Sequence, residues 1–128
     1  MTSNVLPYGY SELGGFGQNP HGNFPCGGSS AGSAIAVAAG FCDAALGTET
    51  RGSLMIPGFR NGVYSFKPTR GLVSRTGIIP LSSSFDAPGV LTRNPALLKE
   101  VFLSMIGVDP ADDQSFELRS KESKPSRK

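Results

Sequence analysis

An α/β fold is predicted for this chain from three stretches of its sequence. Ser33–Gly40, reading SAIAVAAG, is built almost wholly of small apolar residues. Between 43 and 81 the apolar runs are short and punctuated, and from Leu97 onward Leu98, Val101, Phe102 and Met105 recur three or four apart. The first pattern reads as a narrow helix, because Ala favours helix strongly and small side chains let neighbours lie close. The second reads as short strands with irregular crossings, and the third as an amphipathic helix.

Taken in chain order, the first 28 residues hold seven Gly and three Pro and no Lys or Arg, which reads as loop. The small-residue helix follows, with Gly40 weakening it near its end. Strands are expected at Ala44–Leu46, Leu54–Ile56, Gly62–Phe66 and Ile78–Leu81. Leu91 opens the last segment, where Asn94 is placed to cap a helix, Pro95 to sit in its first turn and Gly107 to end it. No internal repeat is present.

Composition bounds the function classes. At 128 residues, one domain is the most the chain can form. No apolar run of about 18 residues exists, which excludes a transmembrane helix. MTSNVLPYGY lacks a basic segment leading into an apolar one, so no secretory signal is visible and the cytoplasm is the default expectation. Cys26 and Cys42 build neither a disulfide framework nor a zinc ribbon, and the single histidine, His21, excludes a histidine-rich metal site. The net charge of +2 is unevenly spread, since 119–128 holds five basic residues and one acidic. That tail has no aromatic residue and no helical stripe. It is expected to be solvated and disordered rather than bound to nucleic acid or a membrane.

Two serine-bearing loops carry the candidate chemistry. Gly27-Gly28-Ser29-Ser30-Ala31-Gly32-Ser33 has the spacing of a phosphate loop, but Ser33 stands where the phosphate-binding Lys is required. Gly28-Ser29-Ser30-Ala31-Gly32 matches a nucleophile elbow, yet no histidine follows Ser30 to complete that triad. The second loop is Gly47-Thr48-Glu49-Thr50-Arg51-Gly52-Ser53. A serine after such a turn can expose its oxygen while the preceding amides converge on one point, supplying a nucleophile and an oxyanion hole. Alone, either loop is ordinary. A pair of them joined by a helix of small residues is much less so.

Together these residues resemble the amidase signature region. GGSSAGSAIAVAAG, ALGTETRGS, FKPTRG and VSRTGIIPLSSSFD occur in the order and spacing of that family's motifs. The upstream GYSELGGFGQNPHGNFPCGGSS is most similar to the peptide-amidase-like branch. The resemblance implies an incomplete piece of the amidase signature fold, a mixed sheet core flanked by helices. Residues 1–112 would form the partial domain and 113–128 the basic tail.

The implied chemistry is a Ser–cis-Ser–Lys amide hydrolase without cofactor or metal, acting on a small-molecule or peptide amide. Ser53 resembles the nucleophile, and Ser29 the bridging serine that follows Gly28 through a cis peptide bond. The amides of Thr50, Arg51 and Gly52, with that of Ser53, resemble the oxyanion hole, and Ser30 a supporting hydrogen-bonding residue. In the family a buried neutral Lys takes the proton through the bridging serine, because burial disfavours the ammonium.

Several positions depart from the family. The catalytic Lys belongs to a motif well upstream of the bridging serine, yet only 28 residues precede Ser29 and none is Lys. The first Lys is Lys67, where the family's Lys is structural. Arg51 replaces a glycine, so its Cβ is expected to restrict the backbone and its side chain to crowd the pocket. Gly58, Phe59, Arg60, Ser65, Ala87 and Pro88 also differ from the usual residues. The expected function is amidase chemistry with the base missing from this chain. The alternative is an inactive remnant, or one piece of a split enzyme that needs a complementary chain.

Overall fold

The structure, a computed structural model, describes residues 9–115. The basic tail at 119–128 lies outside the described residues. The chain begins with a small hairpin, β1 (Tyr10–Ser11) and β2 (Gly15–Phe16), within the stretch expected to be loop throughout. Then come α1 (Ala31–Ala38), β3 (Ala44–Glu49), α2 (Met55–Arg60), β4 (Tyr64–Phe66), β5 (Ala87–Thr92) and α3 (Pro95–Met105). The α/β class is as expected. The three longer strands form one sheet in the order β3-β5-β4, with both pairings antiparallel. The parallel pairing that a mixed sheet needs does not occur among the described residues.

The small-residue helix forms where its composition places it, starting two residues early at Ala31 and giving way to Gly40. Ala34 and Val37 are fully buried and meet Leu54, Val63 and Leu91 in the core. The cap of α3 is as expected, with the Asn94 side chain accepting from the amides of Ala96 and Leu97 and with Pro95 in the first turn.

Three expectations need correcting. Leu54–Ile56 is not a strand, because Met55 opens α2. The amides of Leu54 and Met55 both donate to Glu49 Oε2 at 2.9 Å, a cap supplied from five or six residues upstream. Ile78–Leu81 is not a strand either, because the Ile78 amide closes a turn onto the Arg75 carbonyl. The amides of Leu81 and Ser82 meanwhile go to Asp86 Oδ2 at 2.7 Å. Finally, Leu91 does not open the last segment but lies inside β5, the central strand, which is buried at all six positions.

Pro88 and Gly89, both disfavoured in strands, interrupt the sequence signal for β5. Pro88 is tolerated because β4 ends at Phe66, opposite Val90, so position 88 has a strand neighbour only on the β3 side. Ser115, beyond the expected boundary at 112, is fully buried and donates from Oγ to the Gly107 carbonyl at 3.0 Å.

Candidate active site

The two serine loops meet at the start of α1 and α2. The Ser30 amide donates to the Ser53 carbonyl at 2.9 Å, joining the first loop to the second through the backbone. Ser30 Oγ donates to the Thr48 carbonyl and accepts from the Thr48 amide, both at 3.2 Å. One turn further on, Ser33 Oγ donates to the Leu46 carbonyl at 2.7 Å. This approach needs glycine at 47, where a Cβ would lie 2.7 Å from Ser30 Oγ and 2.5 Å from Leu54 Cδ1. The Gly28–Ser29 peptide is cis, as the resemblance implies. Ser29 and Ser53 are both partly exposed, and Ser29 borders a cavity of about 270 Å³ between the hairpin and α1.

The approach to Ser29 is held from behind by Asn61, which is fully buried at the end of α2. Its Nδ2 donates to the carbonyls of Cys26 and Pro57, both at 2.8 Å. Asn19 Nδ2 donates to the Arg60 carbonyl at 2.7 Å, and His21 Nε2 lies 2.9 Å from the Asn61 carbonyl. The GQNPH segment therefore serves to dock the first loop on α2, and His21 is engaged there rather than near Ser53.

Around Ser53 the loop wraps a carboxylate. Burial alone would raise the Glu49 carboxyl, but hydrogen bonds from the amides of Met55, Gly52 and Leu54 and the Lys67 ammonium outweigh it. Glu49 is thus held below its ordinary value and stays anionic. Lys67 Nζ lies 3.5 Å from Glu49 Oε1 and donates to the Thr50 carbonyl at 2.9 Å. The Thr50 hydroxyl donates to Asp86 Oδ1. Burial opposes ionisation of Asp86 as well. The Thr50 hydroxyl, the Ser82 and Leu81 amides and Arg75 nevertheless hold it below its usual range.

The Arg51 and Ser53 amides find no acceptor among the described residues. Gly52 takes a φ of +81°, a conformation glycine adopts freely and L side chains rarely do. Arg51 does not have a positive φ and is exposed, so its Cβ causes none of the expected backbone conflict. Sequence reasoning missed the clamps Glu49 and Asp86. The legible signal was a carboxylate four residues before Ser53, inside a loop of small residues. Among the described residues, no three His, Cys, Asp or Glu side chains group so as to hold a metal ion.

A family profile described as Amidase matches residues 3–128. The chain belongs to the amidase family. It is 54% identical over 86 residues to a mitochondrial glutamyl-tRNA(Gln) amidotransferase subunit of Aedes aegypti, covering 67% of this chain and 17% of that protein. Among solved structures, an amidase family protein from Bacillus anthracis superposes with a TM-score of 0.86 at 41% identity, over 91% of this chain and 24% of that one. The peptide amidase of Stenotrophomonas maltophilia gives 0.83 at 42% identity, over 98% and 25%. The chain thus spans about a quarter or less of the length of these amidase family relatives.

Proposed function

We propose that this chain carries the nucleophile side of an amide-hydrolysing site. Ser53 Oγ adds to the carbonyl carbon of a carboxamide, and its proton passes to Ser29 and from there to an amine base. The C–N bond breaks as nitrogen takes a proton and leaves as ammonia or an amine. Water then hydrolyses the Ser53 ester to a carboxylate. The Thr50 and Arg51 amides receive the oxyanion. The Gly52 amide, expected from the resemblance to join them, is directed at the Glu49 carboxylate, and Ser30 braces the loop. The observation that carries this reading is the Ser30–Ser53 backbone hydrogen bond, which ties the proposed relay loop to the proposed nucleophile loop.

The base comes from outside these residues. No Lys precedes Lys67, and Lys67 is committed to Glu49 and the Thr50 carbonyl. A second observation favours dependence on further protein, in the same chain or a complementary one. α3 has no buried residue, and Phe41, Phe59, Ile79, Leu81 and Phe85 are each more than half exposed. The proposed substrate is a small-molecule or peptide amide, with no nucleic acid or membrane involved. No helix among the described residues is long and apolar enough to cross a membrane.

A fluorophosphonate, which captures activated serines, tests the reading. With the segment placed in the framework of the S. maltophilia peptide amidase, the label is expected on Ser53 by mass spectrometry and absent from Ser53→Ala. Labelling that survives Ser53→Ala would refute it.

A further inference from the structure

Lys67 touches the nucleophile loop at one carbonyl, that of Thr50, 2.9 Å from its Nζ. That carbonyl and the Arg51 N–H belong to the same peptide unit, whose resonance couples its two ends. A cationic donor at the oxygen draws density from the nitrogen and makes the N–H a stronger donor. Linked hydrogen bonds strengthen one another by roughly 10–30% per bond. The Arg51 N–H at the far end has no acceptor among the described residues.

The neighbouring contacts keep this unit in place. Glu49, pinned by the Leu54 and Met55 amides, holds the ammonium from one side. On the other, the Thr50 hydroxyl donates to Asp86, which is itself fixed by two amides. The peptide plane is thus tethered at both its side chain and its carbonyl.

We propose that Lys67 is a positioning residue that polarises the Thr50–Arg51 peptide and sharpens the Arg51 N–H as a donor to an oxyanion at Ser53. The oxyanion step rests on the proposed function; the polarisation does not. Losing one oxyanion donor outright costs about a hundred- to thousandfold in rate. Weakening it by 10–30% therefore costs roughly two- to eightfold. A larger loss indicates collapse of the loop instead.

The test uses the full chain labelled with ¹⁵N and ¹³C. Lys67→Met is expected to move the Arg51 amide resonances upfield, and Lys67→Arg to leave them close to the unaltered chain. An unmoved Arg51 amide in folded Lys67→Met overturns the proposal. Should Lys67→Met not fold, deuterating the Lys67 ammonium of the unaltered chain is expected to shift the Thr50 carbonyl carbon, and no isotope shift overturns it. With the segment placed in the S. maltophilia peptide amidase framework, phosphonylation of Ser53 two- to eightfold slower in Lys67→Met supports the oxyanion step, and equal rates overturn it. If Ser53 is not phosphonylated even in that framework, the proposed function is what fails, and the Arg51 resonances still decide the polarisation.

Discussion

The amide of Ser30 donates to the carbonyl of Ser53 at 2.9 Å, so two loops far apart in the chain act as one structural unit. The Ser30 side chain adds a second tie, because its Oγ satisfies both backbone groups of Thr48. Ser30→Ala removes both ties to Thr48, which are exposed to solvent, and should destabilise the fold by about 0.5–1.5 kcal/mol. Ser53 is partly exposed and makes no side-chain hydrogen bond among the described residues, so Ser53→Ala should change stability by about 0.5 kcal/mol or less. Urea unfolding of the two variants measures the contrast. Equal destabilisation would count against a bracing role for Ser30.

Glu49 holds the other side of the loop. Its carboxylate takes the Leu54 and Met55 amides and faces Lys67 while almost fully buried. Glu49→Gln keeps one acceptor but loses the charge, and should cost about 1.5–3 kcal/mol, the range for hydrogen bonds to a charged group. Urea midpoints measure this loss. The Leu54 and Met55 amides should also exchange with deuterium faster, since their cap is weakened.

Acid should unfold the chain in a defined window. Hydrogen bonds from the Arg75 side chain lower the Asp112 carboxyl from 3.8 to about 2, against the opposing effect of burial. A carboxylate whose folded value is depressed stabilises the fold above its unfolded value, and that contribution disappears as pH falls through the folded one. Asp112 should therefore contribute about 1–2 kcal/mol above pH 4, lost progressively toward pH 2. Glu49 and Asp86 are also lowered and act in the same direction. Stability against pH for Asp112→Asn should be flatter across that window than for the unaltered chain.

Where structure follows from local pattern, it was legible in the sequence. The spacing of Leu97, Leu98, Val101, Phe102 and Met105 and the Asn94-Pro95 start predict α3, and the Ala-rich run predicts α1. Both serine loops were legible as well, because motif order carries across a family even when single residues change. What was missed depends on partners distant in sequence. Met55-Ile56 turns helical because Glu49 caps it, and 78–81 stays irregular because Asp86 takes its amides. β5 hides behind Pro88-Gly89, since nothing local shows that β4 stops before position 88.

The polypeptide 1–128 by itself should release no measurable ammonia from a peptide amide. Loss of a general base typically costs a hundred- to ten-thousandfold, and Lys67 is not free to replace it. Ser53-dependent turnover by the isolated chain, abolished in Ser53→Ala, would show that a base lies within these residues after all.

The most direct measurement is ammonia release from a C-terminal peptide amide by the S. maltophilia peptide amidase carrying residues 3–115 in place of its own matching segment. The nucleophile assignment predicts turnover in this chimera and none once Ser53 is changed to Ala. Turnover that persists in the Ser53→Ala chimera, or a folded chimera that releases no ammonia, would contradict it.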